Sequence, residues 1–137
     1  MKTIHIASVA LFNSKNELLL VRKKESTYFQ LTGGKLEPQE LPTQTVVRET
    51  WEEIGFQINT EDLVFLKEHT TKAVNETNTF VHGTIYTLHT GKEFDPQIAS
   101  EIASAAWLNA TNYKTFKWAH LAEEVVLPYC LTLWNKR

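Results

Sequence analysis

The sequence has 137 residues, of which 42% are hydrophobic and 22% are charged, the ordinary balance of one folded domain with a single core. Fourteen Lys and Arg residues against sixteen Asp and Glu residues give a formal net charge of −2. The longest basic run is residues 22–24, which excludes the electrostatic footprint of a nucleic-acid polymer and leaves a small anionic ligand open. We predict one domain over residues 1–137.

The single cysteine and the apolar segments bear on where the protein works. Cys130 has no partner for an internal disulfide and lies in an apolar stretch, which is typical of a buried, inert thiol in a reducing compartment. Residues 4–12 imitate a short signal peptide, but His5 interrupts them and no good cleavage site follows, so a first strand is favoured. No apolar run approaches the ~20 residues that span a bilayer. We expect a cytoplasmic monomer or homodimer with no membrane partner.

The first half of the chain alternates β-rich segments and turn residues. Residues 4–12 and 17–22 are predicted strands, and the polar cluster between them predicts a hairpin. A short strand follows at 28–31, and a loop is predicted after Gly33 and Gly34.

The remaining elements mix helices and strands. Pro42 and Gly55 bound a predicted helix over 42–54, because proline suits a first helical turn and glycine suits the left-handed residue after a helix. Further strands are predicted at 63–68, 77–88 and 105–108, and a closing helix at 120–134, which Pro128 would kink. This irregular order predicts an α/β fold, an α/β/α sandwich in which helices flank a mixed sheet.

Three carboxylates carry the first chemical signal. Glu49, Glu52 and Glu53 are spaced i, i+3 and i+4, so they share one helix face. At ~5 Å and an effective dielectric of about 20, each pair repels by roughly 3 kcal/mol, which favours a cation among them. Oxygen ligands alone indicate Mg²⁺ or Mn²⁺ rather than zinc, and magnesium implies phosphate oxygens of a substrate. A solvated Glu-rich face is the alternative, and Glu40 would add a fourth carboxylate if its loop folds back.

The wider pattern favours the metal site. From Gly34 to Gly55 the chain follows G-x5-E-x7-R-E-x2-E-E-x-G, with the apolar Phe56 next. This pattern resembles the conserved box of the Nudix hydrolases, and the order of the surrounding elements is similar to the small MutT-like branch of that family. The box covers residues 34–56 of the 137.

The resemblance implies a site and a reaction. It implies an α/β/α sandwich, Mg²⁺ held by Glu49, Glu52 and Glu53, and hydrolysis by attack of water on phosphorus. The carbonyl of Gly33 would be a further ligand. Arg48 would hold the Glu49 carboxylate by a charge-assisted hydrogen bond, the alternative being an exposed arginine.

Three positions depart from the family pattern. Thr50 replaces an aliphatic residue, Gln39 replaces a glycine, and Leu41 replaces a Ser or Thr cap. Leu41 weakens the helix start by ~1 kcal/mol unless Glu40 or a neighbouring loop supplies an acceptor. None of these changes removes a predicted metal ligand.

Two cations and three acids are candidates for the reaction itself. Lys35 and Arg22 are placed to meet phosphate oxygens, or are merely solvated. The general base would be Glu52, Glu53 or Glu101, the last because it resembles a loop acid that reaches the metals in several relatives. A surface glutamate is the alternative for Glu101.

The residues that would contact the nucleoside part of a substrate are less clearly indicated. Gln30 falls where similar proteins carry a base-contacting polar side chain, and ring candidates for stacking on a base are Phe29, Phe80, Trp118 and His120. Aromatic residues are more often part of the core. Residues 70–73 lack the Pro or Tyr expected of ADP-ribose or dinucleotide enzymes, which tilts the choice toward a nucleoside triphosphate.

Three functions remain open from the sequence. The first is a pyrophosphohydrolase that converts a nucleoside triphosphate, oxidised dGTP among the candidates, to the monophosphate and pyrophosphate. The second is a hydrolase of ADP-ribose, nucleotide sugars or dinucleoside polyphosphates. The third is a nucleotide-binding regulatory module without catalysis, which the intact carboxylates disfavour.

Overall fold

The computed structural model describes residues 2–74 and 76–135. Seven strands form one sheet, and they are β1 (Lys2–Phe12), β2 (Leu18–Lys23), β3 (Phe29–Gln30), β4 (Thr32–Lys35), β5 (Val64–Lys72), β6 (Thr79–His89) and β7 (Ile102–Leu108). The helices are α1 (Pro42–Ile54), a π-helical segment (Ala122–Val126) and α2 (Leu127–Trp134), with short 3-10 turns at Thr60–Asp62 and Tyr113–Thr115.

The sheet is mixed, as predicted. Its main order is β3-β2-β1-β6-β5, with β1 parallel to β6 along its whole length and β5 antiparallel to β6. Two further strands complete it, because β4 pairs with residues 6–9 in the middle of β1 and β7 pairs with β2.

Strand alternation sends β1 side chains into two separate cores. Ala7, Val9 and Leu11 pack in the core beneath α1, whereas Ala10 and Phe12 pack in the core beneath the closing helix. Helices therefore cover both faces of the sheet, and the predicted α/β/α sandwich is confirmed.

The start and end of α1 follow local rules. Pro42 occupies the first turn, and Gly55, at φ 67°, ends the helix by donating its N–H to the Trp51 carbonyl at 2.9 Å. Leu41 has no side-chain acceptor, but its own N–H donates a hydrogen bond to the Gln44 side-chain oxygen at 2.9 Å. Gln44, a residue of the helix itself, thus compensates for the weak cap, and Glu40 does not.

Two predictions about the first strands are confirmed with different bounds. The hairpin is limited to the pair Phe12↔Leu18, because β4 occupies the edge of β1 that a longer hairpin needs, while β2 pairs along its length with β7. The loop predicted after Gly33 and Gly34 begins later, since both glycines lie within β4. A Cβ on Gly33 would clash with the Ala7 carbonyl and lie 2.7 Å from Ser8 Cα, so glycine permits this close approach.

The closing helix runs over residues 120–134, as predicted, but it is not one uniform α-helix. A π-helical stretch precedes α2, and Pro128 falls in the first turn of α2, where its missing N–H costs least. Cys130 is fully buried, and burial raises the pKa of its thiol to about 12. In the part of the chain described, no helix combines the length and hydrophobicity needed to cross a membrane.

Gly33→Ala is expected to lower the free energy of unfolding by about 3 kcal/mol, because it adds strain at φ 146° to a clash with β1. Gly91→Ala is the matched control: φ is also positive, at 69°, but the added Cβ would meet nothing within 4 Å, so about 1 kcal/mol is expected. Urea unfolding measures both. Equal losses would contradict the close approach of β4 to β1.

Candidate active site

Glu53 lies where α1 meets β4. Its side chain is buried, with 5% of the residue exposed, and it accepts a hydrogen bond from the Gly33 N–H at 3.1 Å. The pKa of Glu53 is raised to about 8, mainly by burial; the charges of Glu49 and Glu101 contribute to the rise, and the Gly33 hydrogen bond and Lys23 oppose it. A carboxylate held in this way gains from a cation nearby.

Arg48 connects the loop before α1 to the helix. Its Nε and Nη2 donate to both oxygens of Glu40, at 2.8 and 2.9 Å, and its Nη1 donates to Glu49 at 2.9 Å. Nη2 also donates to the Lys35 carbonyl at 3.1 Å. The carboxylates of Glu40 and Glu49 raise the pKa of the Arg48 guanidinium. In turn, the hydrogen bonds that Arg48 donates are the main reason that the pKa of Glu40 is lowered to about 2.

Glu40 therefore does not add a carboxylate to the cluster on α1. Besides Arg48, it accepts hydrogen bonds from the Thr45 hydroxyl at 2.6 Å and from the Glu37 N–H at 3.0 Å. Its loop does fold back toward the helix, as considered from the sequence, but the carboxylate is used to fix Arg48. Glu49 is thereby held from one side.

Gly34 gives Glu49 its space on the other side. A Cβ on Gly34 would lie 2.6 Å from the Glu49 carboxyl carbon, so the missing side chain leaves a recess that the carboxylate fills. Glu52, one turn along α1, is exposed. The two glycines of β4 thus contact the two ordered carboxylates.

The loop that carries Glu101 is tied to the end of α1. Gln97 N–H donates to the Ile54 carbonyl at 2.9 Å, and Ala99 N–H donates to the Glu53 carbonyl at 3.1 Å. These bonds bring Glu101 close enough to raise the pKa of Glu53, and its carboxylate lies 3.7 Å from Lys23 Nζ. Glu101 is therefore part of the same acidic cluster.

The donor chemistry fits a hard divalent cation. Glu49, Glu52, Glu53 and Glu101 offer only carboxylate oxygens, with a glycine recess and a buried carboxylate between them. Within the described residues, no three acidic, histidine or cysteine side chains converge on one point in this conformation. Binding an ion would require the exposed Glu52 side chain to turn inward.

A cleft of about 210 Å³ opens beside this cluster. At one end its lining contains Gly33, Gly34 and the lysines Lys23 and Lys35. The remaining lining is mostly apolar and includes the polar Gln30. It also includes Ile4, Ile6, Leu31, Val81, Ala119, His120, Leu121 and Ala122. The cleft thus has two lysines at the end by the acids and a largely apolar end away from them, which also carries Lys72 and Glu76.

Four predicted substrate residues lie outside this lining, and one of them, Phe29, packs against the core beneath the closing helix. Arg22 donates from Nη1 to the Ser26 carbonyl at 2.9 Å. Trp118 is buried in the core beneath the closing helix, where its indole N–H donates to the Tyr113 carbonyl. Phe80 is half-buried on β6. The structure contradicts a place for them in the cleft, because tertiary packing and backbone bonds take these side chains elsewhere.

Lys23 was missed by the sequence analysis. Strand alternation could have found it, because Lys23 is two residues after Val21, which packs in the core beneath α1. Its side chain therefore points to the α1 side of the sheet, where the carboxylates are. Gln30 and Lys35, by contrast, do line the cleft, as does His120.

A family model described as "NUDIX domain" matches residues 1–129. The chain belongs to the Nudix family, and the resemblance drawn from the box is confirmed. Membership places it in a class of pyrophosphohydrolases that act on small nucleotide substrates and generally use divalent metal ions.

Two curated proteins are similar in sequence to part of this chain. A MutT-like protein of Streptomyces ambofaciens is 33% identical over 73 residues, covering 52% of this chain and 47% of that protein. The 8-oxo-dGTP diphosphatase of Escherichia coli (strain K12) is 37% identical over 59 residues, covering 40% and 46%. The match therefore spans about half the length of these relatives.

Solved structures confirm the fold. The E. coli dihydroneopterin triphosphate pyrophosphohydrolase superposes with a TM-score of 0.77 at 14% identity, over 96% of this chain and 99% of that one. The E. coli ORF135 protein gives 0.72 at 20% identity, over 100% and 94%. At such identities the likeness shows the architecture alone.

Glu53→Gln is expected to stabilise the metal-free protein at alkaline pH. The folded pKa of Glu53, about 8, lies above the ordinary 4.5, so the wild-type protein loses stability as pH rises through this window, whereas a glutamine does not. In chelator at pH 9 the variant should melt about 6 °C higher, corresponding to roughly 2 kcal/mol, and the gain should vanish near pH 5.

Glu52→Gln is the matched control, since Glu52 is exposed on the same helix and should change the melting temperature little. Scanning calorimetry in chelator at both pH values makes the comparison. A lower melting temperature for Glu53→Gln at pH 9 would contradict a destabilising buried carboxylate.

Proposed function

We propose that this chain is a magnesium-dependent hydrolase that cleaves a nucleoside triphosphate to the monophosphate and pyrophosphate, with oxidised dGTP as one candidate substrate. Mn²⁺ would substitute for Mg²⁺. We further propose that residues 1–137 form one catalytic domain of a cytoplasmic enzyme, a monomer or homodimer. Family membership supports the reaction class, and the carboxylates beside a lysine-lined cleft support a divalent cation and a phosphorylated substrate.

The two-ended cleft is the observation that carries the proposal. Gly33 and Gly34 line it and also contact Glu53 and Glu49, so these two glycines connect the cleft to the acids, which do not line it themselves. Lys23 and Lys35 are at that end. A triphosphate would place its charge by the lysines and its nucleoside over the apolar end.

Glu49, Glu52 and Glu53 would hold the metal, with the Gly33 carbonyl as a further ligand. When bound, the ion supplies charge stabilisation for the phosphates and lowers the pKa of water. Arg48 keeps Glu49 oriented through its 2.9 Å hydrogen bond. Lys23 and Lys35 would neutralise phosphate oxygens.

In the reaction a water oxygen forms a bond to the α- or the β-phosphorus and the P–O bond that bridges them breaks. The electron pair of that bond leaves with pyrophosphate if the α-phosphorus is attacked, and with the monophosphate if the β-phosphorus is attacked. The proton of the water goes to a carboxylate. Glu101, Glu52 and Glu53 remain the candidates, and Glu101 is favoured because Glu53 is buried and both others are proposed ligands.

At the apolar end, Gln30 and His120 are proposed to contact the base. Both line the cleft, and His120 packs edge-on against Tyr28 with ring centres 6.4 Å apart. An amide can bond to the edge of a base, and aliphatic side chains can cover its face.

Hydrolysis of ADP-ribose or another dinucleotide is the second candidate. A bifunctional NMN adenylyltransferase/ADP ribose pyrophosphatase from Francisella tularensis superposes with a TM-score of 0.68, which shows that the fold serves such substrates elsewhere. The names of the relatives, one an 8-oxo-dGTP diphosphatase, favour the triphosphate. A non-catalytic binding module is the third.

Product analysis separates the three. We expect magnesium-dependent release of pyrophosphate from one or more nucleoside triphosphates in a panel that also contains oxidised dGTP, ADP-ribose and diadenosine polyphosphates. Chelator should abolish the release. Monophosphate products from ADP-ribose or a dinucleotide alone would replace the proposal with the second candidate, and binding without turnover would replace it with the third.

Glu53→Gln should reduce kcat by at least about 10³-fold while the protein stays folded, because it removes a buried carboxylate ligand. Glu123→Gln, on the exposed side of the closing helix, serves as the control and should retain full activity. Undiminished turnover by Glu53→Gln would refute the metal assignment.

A further inference from the structure

One wall of the cleft is made by residues 119–122, at the start of the closing helix. This wall is fixed to β5 by Glu124, which lies in the π-helical segment. Glu124 accepts a hydrogen bond from His69 Nε2 at 2.8 Å through one oxygen and from the Thr71 hydroxyl at 3.1 Å through the other. Both partners belong to β5.

Two further contacts fix the same wall. His120 donates from Nδ1 to the Lys72 carbonyl at 3.2 Å, since a carbonyl can only accept. Leu121 rests over β6 at Gly83, where an added Cβ would lie 2.6 Å from a Leu121 methyl group. The first turn of the helix therefore follows the position of β5 and β6.

Glu124 acts on this wall without lining the cleft itself. The hydrogen bond from His69 is the main reason that the pKa of Glu124 is below its usual range, so the carboxylate is ionised and its bonds are charge-assisted. Side chains 55 positions apart in the chain are joined by this contact. The neighbouring Glu123 is exposed and has no side-chain partner among the described residues.

We propose that Glu124 is a positioning residue for substrate binding: by joining His69 and Thr71 it holds residues 119–122 at the apolar end of the cleft. This inference rests on the proposed function. Because the acidic cluster and its glycines are on the other side of the cleft, loosening the wall weakens nucleoside binding and leaves the phosphate chemistry unchanged.

A split between KM and kcat therefore distinguishes this role from a merely structural one. Glu124→Ala is expected to raise KM for the preferred triphosphate about fivefold, because two hydrogen bonds of a partly exposed carboxylate are lost, with kcat within about twofold. The Kd of the monophosphate product should rise by the same factor. Mn²⁺ affinity should not change.

Glu123→Ala is the matched control, with the same charge change one residue earlier, and its KM should equal that of the wild type. Glu124→Gln keeps an acceptor oxygen and should recover most of the affinity. His69→Ala should reproduce part of the effect, because the Thr71 hydrogen bond to Glu124 remains, and the double variant should be no worse than Glu124→Ala, which already removes both bonds.

Two outcomes would overturn the positioning role: an unchanged KM in Glu124→Ala, or equal losses in Glu123→Ala and Glu124→Ala. Amide hydrogen exchange of residues 120–126 tests the same contact without turnover, and faster exchange is expected in Glu124→Ala only. If the wild-type protein hydrolyses no triphosphate, the proposed function fails, whereas unchanged exchange in Glu124→Ala overturns the contact itself.

Discussion

The buried carboxylate of Glu53, bonded to the Gly33 amide, is the interaction on which the site depends. Removing a charged group from water costs several kcal/mol unless an opposite charge or hydrogen bonds compensate. Here burial is the main cause of the rise in the pKa of Glu53 to about 8; the charges of Glu49 and Glu101 add to it, and the single backbone hydrogen bond from Gly33 only partly opposes it. This arrangement disfavours the metal-free ionised state and favours a bound cation.

Arg48 counteracts the repulsion among these carboxylates by holding Glu49 in place. Its guanidinium binds Glu40 through two hydrogen bonds and Glu49 through a third, so one planar group joins loop and helix. The bond to the Lys35 carbonyl adds β4 to this unit. As a result, the orientation of Glu49 is set by the fold of residues 35–48 rather than by its own rotamer alone.

The sequence predicted the part of the site that one continuous segment encodes. The neighbouring Arg48 donates to Glu49 as expected, whereas Glu53 is buried and Glu52 is exposed although both lie within one turn of Glu49 on α1. Arg22 shows where this logic ends, because its guanidinium bonds to the Ser26 carbonyl and Lys23 reaches the cleft instead. The choice between neighbouring residues of a strand depends on which face meets α1, which local composition does not reveal.

The same distinction explains the fold predictions. Helix bounds 42–54 followed from Pro42 and Gly55, whereas the pairing of β2 with β7 joins segments some eighty residues apart and has no local signal. Trp118 is a further case: an aromatic residue suits a base or a core equally well, and only the packing beneath the closing helix decides for the core.

One side of the cleft is determined by local sequence, and the other side is determined by tertiary packing. Its acidic side is built from residues 33–53, which lie close together in sequence and constrain one another through Gly33, Gly34 and Arg48. Its apolar side combines β1, the end of β5 and the closing helix, which only tertiary contacts bring together. Substitutions at the apolar side can therefore alter the shape that meets a nucleoside while the carboxylates keep their geometry. A fold arranged in this way allows the reaction to stay fixed while the substrate changes.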